Sequence, residues 1–290
     1  MKYLIFGANG QLGQVLCRQL QNIADVCGLH SAQFNIVDSA KVFQAAQTFM
    51  PDVIINAAAY TAVDKAECER DLCFQVNISG AENIAKAAQQ VGAKIIHFSS
   101  DYVFDGKQRE PYTETSPTAP LNVYGQSKLL SEQAVSQACS RHFIVRTSWL
   151  FSATGHNFVK SILRHAQQTS TLRVVTDQIG SPTWVNDLAN IVMALANSNE
   201  NAVDYGVYHF SGSPATSWYD FAQTIINEAT SLKWLPEKPK ILPILSADYP
   251  SAATRPAYSV LANHKIQAAL KHTPCDWRKG LREMLRENIK

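Results

Sequence analysis

The sequence predicts an α/β protein whose main part is a doubly wound parallel sheet, followed by a smaller C-terminal lobe. Over the first 150 residues, short apolar runs alternate with segments of helical periodicity. Glycines stand directly between the first apolar run and the first helical segment, and after residue 150 the rhythm loosens as Pro and Trp become more frequent. Strand–helix alternation of this kind places parallel strands in one sheet through right-handed crossovers.

Each element is predicted from its own pattern. Five apolar runs are typical of buried strands and cover residues 3–8, 25–30, 52–59, 93–100 and 142–151. Helical periodicity between them predicts helices at residues 11–23, 39–50, 69–91 and 124–138. Asp38 is the expected N-cap of the second helix, which Pro51 stops, and Gly92 is expected to end the third. A loop rich in turn residues spans 105–122, and further helices are predicted at 157–168, 185–198, 218–230 and 277–289.

The composition is that of an ordinary globular protein, and it argues against several classes of function. The chain has 290 residues, of which 46% are hydrophobic, with 26 Lys plus Arg against 24 Asp plus Glu. A net charge of +2 provides no basic field for nucleic acid, and no apolar run approaches the length of a membrane helix. Six scattered cysteines and the lack of a signal-peptide layout lead us to expect free thiols and a cytoplasmic location. The eight histidines show no H-x-x-x-H spacing, so no metal site is expected.

The stretch FGANGQLG places three glycines, Gly7, Gly10 and Gly13, in the turn between the first strand and the first helix. Glycine permits a tight turn, a close approach to a pyrophosphate and close packing of the helix against the strand. The helix N-terminus then presents free N–H groups to the phosphates. A G-x-x-G-x-x-G spacing at this place predicts a Rossmann-type dinucleotide site, and a tight turn without a ligand is the alternative.

This motif divides the chain by function. We assign residues 1–150 to a dinucleotide-binding domain and residues 151–290 mainly to a substrate-binding lobe, with segments at about 185–212 returning to the first domain. An acidic residue at the end of the second strand favours NAD, and a basic one favours NADP. His30 and Ser31 at this position are not diagnostic, so the expected cofactor is NADPH or NADH.

A set of proton-handling side chains is predicted at the fourth strand and the helix after it. Ser100 ends that strand, at the sheet edge where parallel sheets bind their ligands. Tyr124 and Lys128 are four residues apart, so the phenol and the ammonium share one helix face. A free phenol titrates near ~10, and a neighbouring ammonium is expected to lower that value. With the Ser100 hydroxyl bonded to a carbonyl, the set suits reduction of a ketone beside a nicotinamide; an ordinary surface pair is the alternative.

These residues resemble the extended short-chain dehydrogenase/reductases, which share G-x-x-G-x-x-G, a Ser or Thr, and Y-x-x-x-K. Nearly the whole chain, from residue 7 to residue 261, is similar in order to the signature blocks of the dTDP-4-dehydrorhamnose reductase family: GANGQLG, DVIINAAAYTAVDKAE, SSDYVFDG, YGQSK, RTSWLF, DQIGSPT and RPAYSVL. The resemblance implies NAD(P)H-dependent reduction of the 4-keto group of dTDP-4-dehydro-6-deoxy-L-mannose. The product, dTDP-L-rhamnose, is a precursor of cell-surface sugars such as the O-antigen of lipopolysaccharide.

The resemblance also implies roles for individual residues. It implies Tyr124 as the proton donor, Lys128 as its pKa tuner and ribose ligand, and Ser100 as the ligand of the carbonyl. The other implied ligands are Gly10, Gln11 and Leu12 at the pyrophosphate, in the turn with Gly7 and Gly13; Asn35 and Ile36 at the adenine; Ala59, Tyr60 and Thr61 on the nicotinamide side; and Asp101, Tyr102 and Trp149 at the sugar.

The chain departs from the family pattern at three places. Asn35 stands where Asp is frequent, and Ser100 replaces a Thr but keeps the hydroxyl. Gln14 and Val15 lie on the first helix, where carboxylates of some members hold magnesium across a dimer. The resemblance therefore carries no metal over to this chain.

Several alternatives stay open. The chain is a reductase of this kind, a reductase of another nucleotide-linked 4-keto-6-deoxy sugar, a non-catalytic NADP-binding regulatory subunit, or a reductase-epimerase. Intact catalytic side chains argue against the regulatory subunit, and the lack of cysteine in SSDYVF and RTSWLF argues against the epimerase. Trp149 either fills the core or holds the sugar, and Arg255 either binds a diphosphate or braces a loop. The expected partner is a nucleotide sugar, bound by a monomer or a homodimer, with neither nucleic acid nor a membrane.

Overall fold

A parallel sheet of six strands forms the centre of the computed structural model, which describes residues 1–199, 202–273 and 275–287. In chain order, the strands of the structure are β1 (Lys2–Phe6), β2 (Asp25–Leu29), β3 (Val53–Asn56), β4 (Lys94–Ser100), β5 (His142–Thr147), β6 (Leu150–Phe151), β7 (Thr171–Val175), β8 (Ile179–Gly180), β9 (Thr183–Trp184), β10 (Gly206–His209), β11 (Thr216–Ser217) and β12 (Lys240–Ile244). The central sheet has the order β10-β5-β4-β3-β1-β2, and every neighbouring pair in it is parallel. The predicted doubly wound sheet is confirmed.

The helices lie between and after these strands. They are α1 (Gln11–Leu20), α2 (Ser39–Phe49), α3 (Val63–Ala66), α4 (Arg70–Phe74), α5 (Ala81–Val91), α6 (Val123–Ala138), α7 (Phe158–Ala166), α8 (Val185–Asn197), α9 (Trp218–Ser231), α10 (His264–Leu270) and α11 (Trp277–Glu287). Asp38 caps α2 by accepting a hydrogen bond from the Lys41 N–H, and Gly92 ends α5 with a φ of +70°. Residues 288 and 289 of the last predicted helix lie outside the described residues.

Alternate residues of each central strand pack against opposite helical layers. On β1, Tyr3 and Ile5 join the apolar cluster with α1 and α8, whereas Leu4 and Phe6 join the cluster with α2 and α5. Side chains of a strand point alternately to the two faces, so a strand covered on both faces must be apolar throughout. This is why the continuous apolar runs of the sequence identify the sheet.

A separate apolar cluster, here called the C-terminal cluster, lies in the later part of the chain. Helices α7, α9 and α11 pack around Phe221, Trp277 and Leu281, together with the parallel pair β7–β12. Two later elements lie against the central sheet instead: α8 shares an apolar cluster with α1, and β10 pairs in parallel with β5.

Two predicted elements differ from the observed ones. The helix predicted over 69–91 is α4, a π-helical segment Gln75–Gly80 and α5, because the buried Asn77 side chain bonds outside the helix. The strand predicted over 142–151 ends at Thr147, because Trp149 takes a left-handed conformation with a φ of 46° and β6 then joins a separate small sheet.

Candidate active site

The carboxyl edge of the sheet collects the predicted site residues. The glycine turn follows β1, Asn35 and Ile36 follow β2, and the segment from Ala59 to Thr61 follows β3. Ser100 ends β4, and Trp149 comes two residues after the end of β5. The strand order reverses between β1 and β3, and ligands of open parallel sheets bind in the crevice at such a point.

The turn after β1 packs too closely against neighbouring backbone to accept side chains at Gly7 and Gly13. A Cβ atom at Gly7 would lie 2.5 Å from the Ala58 main-chain nitrogen, and one at Gly13 would lie 2.2 Å from the Gly7 carbonyl oxygen. Gly10 is the N-cap of α1 and makes no side-chain hydrogen bond, so no capping side chain occupies the N-terminus of this helix. Free N–H groups and the positive end of the helix dipole favour an anion here. These residues therefore fit the pyrophosphate of a dinucleotide.

Two buried or half-buried asparagines hold the loops beside this turn. Asn77 Oδ1 accepts a hydrogen bond from the Tyr60 N–H at 2.8 Å, and its Nδ2 donates to the Tyr60 carbonyl at 3.1 Å. The same Nδ2 donates to Ser127 Oγ at 2.8 Å. This contact connects the segment from Ala59 to Thr61, here called the Tyr60 loop, to α6. Asn83 Nδ2 donates to the Ile36 carbonyl at 3.1 Å, so the loop after β2 is held from α5 in a similar way.

Ser100, Asp101 and Tyr124 meet at the end of β4. Ser100 Oγ donates to Asp101 Oδ1 at 2.9 Å and accepts from the Tyr102 N–H at 3.1 Å. Ser100 and Asp101 are buried, and Asp101 Oδ2 has no hydrogen-bond partner among the described residues. Burial raises the pKa of Asp101 to about 6, although the Ser259 and Ser100 hydroxyls act in the opposite direction.

The Tyr124 phenol faces the Ser100 hydroxyl and holds its proton firmly. Burial raises the pKa of Tyr124 above its ordinary value of 10, the Ser100 hydroxyl lowers it in part, and the Asp101 carboxylate raises it further. The pKa shift is opposite to the one predicted from the Tyr124–Lys128 spacing. The reason is that enclosure by protein disfavours the phenolate more strongly than the Ser100 hydroxyl favours it.

Lys128 is buried one turn along α6 from Tyr124. Burial lowers the pKa of Lys128 to about 8, while the Glu132 carboxylate, another turn along the helix, raises it. The Cys73 thiol acts in the same direction as Glu132, and His97 on β4 lies close enough for the Lys128 charge to lower its pKa. Lys128 is therefore mostly protonated at neutral pH, and it loses its proton at a lower pH than an ordinary lysine does.

Glu132 is itself paired across to β5. Arg146 Nε and Nη2 donate to the two oxygens of Glu132 at 2.8 and 2.7 Å, and both side chains are buried. Arg146 Nη1 also lies 3.3 Å from His209 Nε2 on β10. Tyr124, Lys128 and Glu132 thus form a row along one face of α6 that ends in a bidentate ion pair.

The side of the site toward the later part of the chain is aromatic and basic. Tyr102 packs edge-on against Tyr124, with ring centroids 5.9 Å apart, and contacts Arg255. Trp149 stacks on Trp218 at 3.4 Å between ring centroids. Both Trp218 and Arg255 line a cavity of about 990 Å³, which is also bounded by segments of α7, β7 and residues 246–255.

Arg255 and Trp149 each show features of both sequence alternatives. Arg255 donates to both oxygens of Asp64, at 2.7 and 3.2 Å, so it braces the segment before it against α3. This contact lowers the pKa of Asp64 to about 2. Trp149 is half-buried, and its indole lies against Gly180 as well as Trp218, so it packs at the margin of the apolar cluster beside the cavity.

The sequence analysis missed three residues that shape this site. Asn77 had a signal, since a helix-disfavoured amide stands in the middle of a long helical pattern. Glu132 had the same four-residue spacing from Lys128 that connects Lys128 to Tyr124. Trp218 had no such signal, because its stacking on Trp149 joins residues 69 positions apart.

Two kinds of feature are absent from the described part of the chain. Among residues 1–199, 202–273 and 275–287, no group of three His, Cys, Asp or Glu side chains is placed to hold a metal ion. Within the same residues, no helix is both long and apolar enough to cross a membrane. The six cysteines are free thiols.

The chain is similar to known proteins over nearly its full length. The family model described as the RmlD substrate binding domain matches residues 1–289. The dTDP-4-dehydrorhamnose reductase of Aggregatibacter actinomycetemcomitans is 42% identical over 287 residues and covers 98% of both chains, and that of Escherichia coli (strain K12) is 39% identical over 292 residues, covering 99% of this chain and 98% of the relative. The crystal structure of dTDP-4-dehydrorhamnose reductase from Bacillus anthracis in complex with NADP is 39% identical, covers 99% of both chains and has a TM-score of 0.92. The chain therefore belongs to the dTDP-4-dehydrorhamnose reductase family.

Proposed function

We propose that the protein reduces the 4-keto group of dTDP-4-dehydro-6-deoxy-L-mannose to a hydroxyl with NADPH or NADH, forming dTDP-L-rhamnose. The observation that carries the proposal is the meeting of Ser100 and Tyr124 at the carboxyl edge of the sheet, with Lys128 buried one turn away. The fold and the family are those of reductases that act on this class of nucleotide sugar.

The residues of the dinucleotide site fall into three groups along the sheet edge. The main chain of Gly10, Gln11 and Leu12 holds the pyrophosphate in the turn formed by Gly7 and Gly13, Asn35 and Ile36 contact the adenine, and Ala59, Tyr60, Thr61, Tyr124 and Lys128 contact the nicotinamide and its ribose. When bound, the reduced nicotinamide supplies a hydride to the keto carbon. The support for this assignment is the tight glycine turn, in which Gly7 and Gly13 leave no space for a Cβ atom, and the N-terminus of α1, which no side chain caps.

The chain's own side chains manage the proton. Tyr124 Oη donates a proton to the carbonyl oxygen, which becomes the hydroxyl of the product. Ser100 Oγ, which donates to Asp101 in the structure, turns to donate to the carbonyl oxygen and holds it against the phenol. The Lys128 ammonium stabilises the phenolate that the transfer leaves behind, because an opposite charge nearby favours the ionised form.

In this proposal the sugar nucleotide lies between the carboxyl edge of the central sheet and the C-terminal apolar cluster around Phe221, Trp277 and Leu281. Asp101, Tyr102 and Trp149 contact the sugar, and the cavity of about 990 Å³ receives the nucleotide. Two contacts join these places: Trp149 stacks on Trp218, and Tyr102 contacts Arg255. The division into a dinucleotide domain at 1–150, including the later segments near 185–212, and a substrate lobe over most of 151–290 belongs to this proposal. So does action in the cytoplasm, where free thiols persist.

The test is turnover with product identification. The purified protein is mixed with dTDP-4-dehydro-6-deoxy-L-mannose and either NADPH or NADH, and oxidation of the nicotinamide is followed by absorbance. We expect one equivalent of dTDP-L-rhamnose for each equivalent of reduced cofactor consumed. Consumption of neither cofactor, with both ligands bound, would show a regulatory role, and a product of different configuration would show a different sugar reductase.

A further inference from the structure

The side chain of Gln11 bonds away from the turn to which its main chain belongs. Gln11 Oε1 accepts hydrogen bonds from Ser152 Oγ at 2.9 Å and from Asn157 Nδ2 at 3.0 Å. Gln11 Nε2 donates to the His156 carbonyl at 3.3 Å. Both lone-pair positions of the amide oxygen and one of its two N–H groups are therefore used on residues more than 140 positions away.

These partners form one loop, residues 152–157, between β6 and α7. Ser152 and Asn157 are buried, and Asn157 Nδ2 also donates to the Ser152 carbonyl at 2.8 Å. A Cβ atom at Gly155 would lie 2.8 Å from Gln11 Cγ, so the loop closes directly over the Gln11 side chain. The Gln11 side chain thus holds the loop at three points to the glycine turn after β1, here called the cofactor turn.

The same loop forms a wall of the large cavity. His156 and Asn157 line it, and Phe158 begins α7 there. Asn157 caps that helix by accepting from the Lys160 N–H at 3.1 Å. A residue that fixes Asn157 therefore fixes both the loop and the first turn of α7, where they face the cavity.

We propose that Gln11 is a positioning residue that couples the two ligand sites: its side chain transmits the placement of the dinucleotide turn to the 152–157 loop, so that NADPH and the nucleotide of the substrate each strengthen the binding of the other. The inference rests on the proposed function, since it takes the turn as the dinucleotide site and the cavity as the nucleotide site. A ligand that orders the turn also orders the loop through the three hydrogen bonds, so the second ligand meets a lower ordering cost. Such coupling is reciprocal by thermodynamic necessity.

The experiment measures the coupling with ligands that cannot react. The affinity for NADPH is titrated with and without saturating dTDP, and the affinity for dTDP with and without saturating NADPH. In the wild-type protein we expect each ligand to tighten the other by about tenfold, within the usual range for coupled sites, and by the same factor in both directions. In Gln11→Met, which keeps the length of the side chain and removes its amide, we expect the factor to fall to about one.

Amide hydrogen exchange gives a second readout at the loop itself. NADPH is expected to slow exchange over residues 152–157 in the wild-type protein and to leave it unchanged in Gln11→Met. The matched control is Gln14→Met, because Gln14 Nε2 donates to the Asn9 carbonyl at 2.6 Å, inside the cofactor turn. This variant should keep the wild-type factor. Ser152→Ala removes one of the three hydrogen bonds and should lower the factor in part, which tests the contact without altering the turn.

The outcomes separate the inference from the function on which it rests. Normal NADPH binding with an unchanged coupling factor in both Gln11→Met and Ser152→Ala would overturn the inference and leave the proposed function intact. A wild-type coupling factor of one would overturn it as well. Failure of the wild-type protein to bind either NADPH or NADH would overturn both.

Discussion

The proton of Tyr124 is held more firmly in the folded protein than in a free phenol. Burial raises the pKa of Tyr124 above its ordinary value, and the Ser100 hydroxyl offsets only part of that rise. Ketone reduction consumes a proton, so the donor must carry it at the working pH. A phenol with a raised pKa meets this requirement over the whole neutral range, and its conjugate base then needs a positive neighbour after the transfer. We propose Lys128, which is buried one turn along α6, as that neighbour.

Replacing the phenol tests this directly. We expect Tyr124→Phe to lower kcat by about 100- to 10,000-fold, the usual cost of losing a general acid. NADPH affinity should stay close to the wild-type value, because the ring keeps its packing against Tyr102. Steady-state kinetics and a fluorescence titration measure the two quantities. A variant that keeps more than half of the wild-type kcat would exclude Tyr124 as the proton donor.

The ionisation of Lys128 is expected to appear on the alkaline side of the profile of kcat/KM against pH. Because burial lowers the pKa of Lys128 to about 8 and raises that of Tyr124, the ammonium is the first of the two to lose its proton as the pH rises. We expect kcat/KM to fall as the pH passes through about 8. Lys128→Met should have a low rate without that inflection, and its remaining alkaline fall should lie at higher pH, where Tyr124 ionises. The same fall near this pH in both proteins would assign it to another group.

At the scale of elements, α6 carries three site residues at intervals of four, so their side chains lie along one face of the helix. Tyr124 and Lys128 are followed by Glu132, whose carboxylate favours the protonated form of Lys128 and is held by Arg146 on β5. We expect Glu132→Gln to move the alkaline fall of kcat/KM to lower pH, since the ammonium loses its negative neighbour. Breaking a buried ion pair should also lower the free energy of unfolding by about 3–5 kcal/mol.

The control for Glu132→Gln is another carboxylate–arginine pair far from the site. Glu228 accepts from Arg282 Nε at 2.7 Å between α9 and α11. Glu228→Gln removes a single, more exposed carboxylate–arginine contact and should leave the pH profile in place. An unmoved profile in Glu132→Gln, with the protein folded, would leave Glu132 as a structural residue only.

The π-helical segment places Asn77 where a regular helix would not. Hydrogen bonds of the i→i+5 type widen the turn locally, and such segments are frequent at functional sites. We expect Asn77→Ala to raise the KM for NADPH, because the Tyr60 loop loses both of its hydrogen bonds to the Asn77 side chain. Each buried group left unpaired should cost about 1–3 kcal/mol of unfolding free energy.

Asn197→Ala is the matched control for this change. The Asn197 amide donates to the Met193 carbonyl at 2.8 Å within its own helix, away from the sheet edge that holds the cofactor turn. We expect it to leave the KM for NADPH unchanged. If Asn77→Ala lowers stability and leaves the KM for NADPH unchanged, the Tyr60 loop does not depend on this anchor for cofactor binding.

The predictable elements are those whose pattern is local. The strands of the central sheet are apolar throughout because they are covered on both faces, and Asp38 and Gly92 mark helix ends through interactions with their own neighbours. The π-helical segment was not predicted, because its cause is a contact between Asn77 and Tyr60, 17 positions apart. The early end of β5 depends likewise on Trp149, whose left-handed conformation accompanies stacking on a residue far along the chain.

At the scale of the whole molecule, the same distinction governs the site. Parallel strands bring their carboxyl ends to one edge, so the glycine turn, Ser100 and Tyr124 were placed together from sequence and topology alone. The electrostatic environment was not predictable in this way, since burial sets the pKa values of Tyr124 and Lys128 and depends on the packing of every neighbouring element. The contacts of Gln11 with the 152–157 loop also require the complete fold, because they join the first helix to the later lobe.

Asp101 links the site to the stability of the whole molecule. Its pKa is raised from 3.8 to about 6 in the folded protein, with burial as the first cause. The folded state therefore binds this proton more tightly than the unfolded state, so the contribution of Asp101 to stability is most favourable at low pH and becomes less favourable as the pH rises from 3.8 to about 6. A shift of this size corresponds to a penalty on the order of 3 kcal/mol at neutral pH.

Asp101→Asn removes that penalty, because the amide is neutral and its oxygen can still accept from Ser100. We expect its free energy of unfolding in urea to exceed that of the wild-type protein at neutral pH by up to about 3 kcal/mol, with a smaller gain at about pH 5. Activity should fall, since the carboxylate faces the catalytic hydroxyls. Asp177→Asn is the control, because Asp177 is exposed and accepts from Ser246 at 2.9 and 2.7 Å, so no gain is expected there. A wild-type protein as stable as Asp101→Asn at neutral pH would mean that the buried carboxylate is not a cost to the fold.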